Sequence, residues 1–134
     1  MSEENVERAR EGFELWRRGD AQAFLELVDP DVEWDLSAYP APGVEARGRG
    51  VDGLVRMFAA YLSGWNEYRI EAKEFIDAGE SVIAVLHEKV RVADSNTTLQ
   101  RDVAYLWTIR GGKLSGFRVF QSKHEALAAA GLGQ

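Results

Sequence analysis

The sequence predicts an α+β domain: N-terminal helices packed in a curved antiparallel sheet, with a C-terminal capping helix. Three observations predict it. Apolar residues recur at helical spacing up to Leu62, the period switches to two from Tyr68 onward, and short turn-forming stretches join the alternating segments. Helices grouped first and strands grouped after them belong to α+β layouts.

The elements follow in order. Ser2 is placed to cap a first helix, with Glu3 and Glu4 where the helix dipole favours acids. Val6, Ala9, Phe13 and Trp16 would line one face of it. Gly19 ends it and Asp20 caps a short second helix, with Phe24, Leu25 and Val28 inward, which stops before Pro30. Val32-Glu33-Trp34 reads as a brief strand. An irregular stretch from Asp35 to Gly50 follows, holding Pro40 and Pro42 and several glycines; a connection this long in a small domain is often functional. A third helix starts near Val51, with Leu54, Val55, Phe58, Tyr61 and Leu62 at helical spacing.

Strands are then expected at about 69–77, 81–92, 99–110 and 113–121. Ala78-Gly79-Glu80, Asp94-Ser-Asn-Thr97 and Gly111-Gly112 supply the turns. Hairpin-length connections make this an antiparallel meander. The last helix opens on Ser122-Lys-His-Glu125, an S-x-x-E capping box, and ends at Gly131. Long strands must twist and coil, so the sheet would wrap the helices and leave a cone-shaped cavity, an α+β roll. Both faces of the sheet are apolar in places, and a homodimer through the outer sheet face is the simplest cover.

The 134 residues fit one domain, 1–134, able to bury its own core. Cysteine is absent, so no disulfide or thiolate site exists, and His87 and His124 offer no zinc spacing. Sixteen basic against twenty-two acidic residues give −6, which argues against nucleic acid as a partner. No apolar run reaches the roughly 18 residues of a membrane span, and the acidic N-terminus is no secretory signal. The expectation is a cytoplasmic protein with no membrane partner and no metal or organic cofactor.

Particular words in this order carry a resemblance. They are Gly19-Asp20 before Phe24-Leu-Glu-Leu-Val28, then Asp29-Pro-Asp-Val-Glu-Trp34 and Arg47-Gly-Arg-Gly-Val-Asp-Gly53, and later Trp107-Thr-Ile-Arg-Gly-Gly-Lys113 and Glu125-Ala-Leu-Ala-Ala-Ala-Gly-Leu132. Over nearly the whole chain the sequence resembles the SnoaL-like branch of the nuclear transport factor two-like superfamily, which shares the ketosteroid isomerase fold. Fold alone does not license a reaction. Ketosteroid isomerase needs a carboxylate base, a tyrosine and a protonated aspartic acid. The resemblance puts its tyrosine position on Gly12, its base position on Leu36 beside Asp35, and its protonated acid on or near Tyr105. Two of the three roles are therefore empty.

The resemblance also implies a pocket face containing Ile83, Val85, His87 and Lys89, then Arg101, Val103, Tyr105 and Trp107, then Ser115, Phe117, Val119 and Gln121. Catalytic candidates are His87, Asp35 and Tyr105. His87 titrates near working pH and suits proton transfer; the competing reading is a histidine satisfied by Glu88 or Arg101, or one facing a partner. Asp35, beside Trp34, could act as a base with a raised pKa, or cap a local turn. Tyr105 and Trp107 suit a planar ligand and equally suit a core. Arg101 could bind an enolate oxygen or stand in solvent. Met57 and Tyr61 share a helical face and would close the side of the cone, with core packing as their alternative. Trp34, Val85, Phe117, Val119 and Gln121 complete the expected ligand wall.

The function read from these residues is binding of a small hydrophobic molecule in an apolar pocket. The enzymatic version is cofactor-free acid–base chemistry on a carbonyl compound, of cyclase, isomerase or dehydratase type. The alternative is a non-catalytic, dimeric ligand-binding or accessory module.

Overall fold

The computed structural model describes residues 2–39, 43–92 and 95–132. Pro40 and Pro42 of the irregular stretch, Asp94 of the expected turn and the side chain of Ser2 lie outside the described residues. The elements run α1 (Ser2–Arg17), α2 (Ala21–Glu26), β1 (Val28–Asp35), β2 (Arg47–Arg49), α3 (Val51–Leu62), β3 (Trp65–Ala78), β4 (Ser81–Val92), β5 (Thr98–Arg110), β6 (Lys113–Phe120) and α4 (Lys123–Ala129). The strands form one six-stranded sheet in the order β2-β1-β6-β5-β4-β3.

Local chemistry sets the boundaries. Gly19 takes φ +76° after α1, and the Asp20 carboxylate accepts from the Ala23 amide to start α2. Gly111 and Gly112 both have positive φ, which the tight β5–β6 turn requires. Ser122 accepts from the Glu125 amide and caps α4.

Four expectations about the elements need correction. The sheet is mixed, because β1 lies parallel to β6 while β3–β6 form the antiparallel meander. The brief strand at Val32 begins earlier, at Val28; the β1–β6 ladder shifts register between Val28 and Glu33, so Pro30 falls where its missing amide breaks no regular pairing. Arg47–Arg49, expected to be irregular, is strand β2, paired with Glu33, Trp34 and Asp35. Gly48 makes that pairing possible, since a Cβ there would stand 2.1 Å from the Trp34 ring. β3 also starts at Trp65, four residues before its expected start at 69.

The concave face of the sheet and helices α1–α3 enclose the main core. Val82, Ala84 and Leu86 of β4, Val103, Trp107 and Ile109 of β5, and Leu114 and Phe117 of β6 meet Ala9, Phe24, Leu54 and Met57. Aromatic edges bind the layers: Phe13 stands edge-on to Phe75 at 6.0 Å, and Trp16 lies 4.5 Å from Phe58.

On the outer face, Ile83, Val85, Ala104, Leu106 and Phe120 form a second cluster with Ala126 of α4. The last helix thus packs outside the sheet, where it covers this apolar patch. The adjoining outer surface carries Lys73, His87, Gln100 and Asp102.

Register corrects the expected pocket face on β4. His87 pairs with Asp102, Glu88 with Arg101 and Leu86 with Val103. The last matched pair, Arg91 and Thr98, is joined through residues 92–97, an even number. Odd-numbered β4 residues therefore share a face with even-numbered β5 residues. Val82, Ala84, Leu86 and Glu88 point inward, whereas Ile83, Val85, His87 and Lys89 point out. The inward assignments on β5 and of Phe117 and Val119 on β6 hold.

Candidate functional site

A cavity of about 340 Å³ lies between α3, the segment around Tyr39 and the inner sheet face. Leu36, Val44, Met57, Phe58, Val103, Phe117 and Val119 make its apolar wall. Tyr39, Tyr61, Trp65, Glu88, Arg101 and Tyr105 form its polar end.

The polar end is organised around Glu88, which is 1% exposed. A buried carboxylate needs a counter-charge and filled lone pairs. Arg101, its cross-strand partner, donates from Nε at 2.8 Å. The Tyr68 hydroxyl donates to Oε2 at 2.6 Å, and the Tyr61 hydroxyl lies 3.0 and 3.1 Å from the two oxygens. Every one of these partners is a donor, so Glu88 acts as an acceptor on both oxygens. Arg101 continues outward to the hydroxyls of Tyr39, at 3.0 Å, and of Tyr61. Its guanidinium also lies 5.0 Å from the centre of the Tyr39 ring.

Electrostatics fix which hydrogens stay in place. Burial pushes the Tyr61 phenol well above its usual range, and the Glu88 charge adds to this against the pull of Arg101. Burial likewise raises Tyr68 and Tyr105, with Glu88 and neighbouring phenols contributing. All three remain protonated donors at ordinary pH. Burial works against the Arg101 cation, but the bond to and charge of Glu88, together with Tyr61 and Tyr39, outweigh it and raise the pKa, so the charge persists.

Tyr105 is the loosest member. Its hydroxyl lies 3.5 Å from that of Tyr68, at the limit of a hydrogen bond, and Tyr68 has already given its hydrogen to Glu88. The indole N–H of Trp65 is buried and has no partner among the described residues. Tyr105 thus brings an under-used donor to the cavity wall.

The expected site residues divide. Tyr105, Met57, Tyr61, Arg101, Phe117 and Val119 line the cavity together. His87 stands on the other face, Nδ1 2.8 Å from Asp102 Oδ1 and Nε2 3.0 Å from Gln100 Oε1, away from the wall. The Asp102 hydrogen bond raises its pKa, helped by Gln100.

Asp35 accepts from the amide and hydroxyl of Ser37, at 2.8 and 2.6 Å, and faces Arg47. Burial pushes its pKa up, but the Ser37 bonds with Arg47 and Arg118 outweigh it, so the net shift is downward. That is the opposite of the raised value expected for a base. Trp34 is buried against Gly48 and Gly53, Trp107 packs between Phe24 and Phe117, Val85 lies under α4, and Gln121 is exposed beyond β6.

Leu36, on the position of the isomerase base, lines the cavity as an apolar side chain. Gly12, on the tyrosine position, faces Leu114 and Phe24 in the core. Glu88, Tyr39, Tyr68 and Trp65 were not among the expected site residues. The available signal was Glu88 itself, an acid inside a strand of otherwise apolar inward positions. Among the described residues, no group of three or more acidic or histidine side chains converges as a metal site would need.

Similar proteins agree with this architecture. A NTF2-like protein from Burkholderia xenovorans LB400 is 27% identical, with 97% of each chain covered and a TM-score of 0.72. TerC, co-crystallised with polyporic acid, superposes with a TM-score of 0.77 at 24% identity, covering 93% of this chain and 98% of its own. A putative SnoaL-like polyketide cyclase from Mesorhizobium loti gives a TM-score of 0.64 at 18% identity over 85% and 96% of the two chains. The last two likenesses speak for the fold alone. No curated protein matches the sequence. Residues 9–117 match the family described as the SnoaL-like domain, and with the helices wrapped by a curved sheet around a walled cavity, the chain belongs to that family.

Proposed function

We propose that this protein binds a small, largely apolar cyclic molecule in the cavity between α3 and the sheet. The observation that carries the proposal is the wall itself, an aromatic and aliphatic enclosure of about 340 Å³ with Tyr105, Trp65 and Arg101 gathered at one end. Small-molecule sites commonly have this form, apolar walls with a few convergent polar groups and volumes of roughly 300–1,000 Å³. An oxygen of the ligand would sit against Tyr105 and Arg101, and its rings against Phe117 and Phe58.

Binding is preferred over acid–base catalysis. The carboxylate at this wall, Glu88, already accepts from Arg101, Tyr61 and Tyr68, which leaves it poorly placed to take a proton from carbon. The donors could still polarise a carbonyl, as an oxyanion site does.

Titration of the isotope-labelled protein with 2-acetylnaphthalene, followed by amide NMR, tests the proposal. Shifts clustered at Val103, Tyr105, Phe117 and Val119 are expected. Shifts confined to the outer face, or none at millimolar ketone, would overturn it. Run in D2O, the same sample reports exchange of the ketone's α-hydrogens; rapid exchange would replace the binding reading with the enzymatic one.

A further inference from the structure

Among the described residues, the cavity wall carries one anion and one cation, Glu88 and Arg101, and they are bonded to each other. The remaining polar side chains of the wall are chiefly hydroxyls, each with one hydrogen to give. Tyr61 spends its hydrogen on Glu88, and Tyr68 does the same from behind the wall. Tyr39 accepts from Arg101 and, among the described residues, gives its own hydrogen to none. Tyr105 holds only a long contact. The wall therefore keeps donors that are not committed to Glu88, and its net charge is zero.

An isolated arginine among tyrosines would be a clamp for carboxylates, since its fork matches their geometry. Here Glu88 has taken Nε at 2.8 Å, and Tyr39 and Tyr61 each take a hydrogen from the two terminal nitrogens. A carboxylate ligand would have to shed its water while meeting the Glu88 charge at short range. A cationic ligand would meet Arg101 and find no free anion. A ketone, ester or lactone oxygen needs only a donor.

We infer that the cavity selects uncharged, hydrogen-bond-accepting ligands over carboxylates and amines of the same shape, and that Glu88 sets this selection by cancelling the Arg101 charge. The inference rests on the binding reading above and names the ligand class for that site.

Three probes of one shape test it: 2-acetylnaphthalene, 2-naphthoate and 2-(aminomethyl)naphthalene, titrated into the intact protein near neutral pH. The ketone should bind at least about tenfold more tightly than the naphthoate, and the amine should leave the cavity amides unmoved. In Glu88→Gln the ketone-to-naphthoate ratio should fall by about tenfold or more, because Arg101 is uncovered. Naphthoate binding to the wild type within about threefold of the ketone overturns the selection, and does so even where Glu88→Gln does not fold. An unchanged ratio in a folded Glu88→Gln overturns the role of Glu88. If no probe shifts the cavity amides, the binding reading falls first and this inference falls with it.

Discussion

Glu88 and Arg101 face each other directly across the β4–β5 ladder, with Oε1 and Nε 2.8 Å apart. The carboxylate is buried, while the arginine keeps 34% of its side-chain exposure. Removing one partner of a buried pair typically costs about 3–5 kcal/mol, because the other is left uncompensated. Arg101→Met should therefore destabilise the fold by about 3 kcal/mol, the lower end, since water still reaches this edge of the pair. The double variant Glu88→Leu with Arg101→Met should be less destabilised than the sum of the two single changes. Urea unfolding of the four proteins measures this; strict additivity would show that the pair is not coupled.

Tyr68 and Tyr105 should separate stability from binding. Tyr68→Phe withdraws a 2.6 Å donor from a buried carboxylate, a loss of about 1.5–3 kcal/mol. Tyr105→Phe removes a hydroxyl held only at 3.5 Å, so stability should change by less than about 1 kcal/mol. Affinity for 2-acetylnaphthalene should nonetheless fall by about three- to tenfold, the worth of one neutral hydrogen bond. Equal affinities of wild type and Tyr105→Phe would remove Tyr105 from the ligand site.

His87 provides a pH test away from the cavity. Its bond to Asp102 raises the folded pKa above 6.5, so the protonated form is favoured in the native state. The stability this contributes is fully present below the unfolded value and fades as pH rises through the folded one. The urea midpoint of the wild type should accordingly exceed that of Asp102→Asn below about pH 6, with the gap narrowing by about pH 8. NMR titration of the imidazole should give a midpoint above 6.5 that drops in the variant. His87→Ala should leave ketone affinity within about twofold, because the ring is on the other face of the sheet.

Gly48 is a steric requirement. Any Cβ there would overlap the Trp34 ring at 2.1 Å, and both residues are locked into the β1–β2 pair. Gly48→Ala should cost about 1–3 kcal/mol or more by overpacking and should alter Trp34 fluorescence. Gly64→Ala is the control: its Cβ would approach nothing nearer than the Tyr61 carbonyl at 3.9 Å, so its cost should be well below that.

Much of the fold was legible. Strands β4, β5 and β6 fall within a residue of their expected bounds, because period two, paired glycines and turn residues agree there. β2 was not legible, since a three-residue strand with two arginines and a glycine has no apolar alternation; only the Trp34 ring above Gly48 explains it. The site was legible by halves. Tyr105, Arg101, Phe117 and Val119 were found through the family resemblance; the two-glycine turn alone would set Trp107 opposite residue 116, and the bulge between Thr108 and Ile109 brings Phe117 and Val119 onto the inner face. His87 and Val85 were assigned to the wrong side because β4 is buried on both faces, and buried strands lose the alternation that marks a side.

The sequence by itself determined the helical and strand periods, the caps, the glycine turns and the kinship, because each depends on residues close along the chain or on words that survive intact. Only the tertiary structure decided which residues share the cavity. That choice hangs on the parity of a connection between β4 and β5, and a slip of one residue turns every side chain to the opposite face. It brought Glu88 rather than His87 against Arg101, and so put a neutralised ion pair, where a free base had been expected, at the centre of the candidate site.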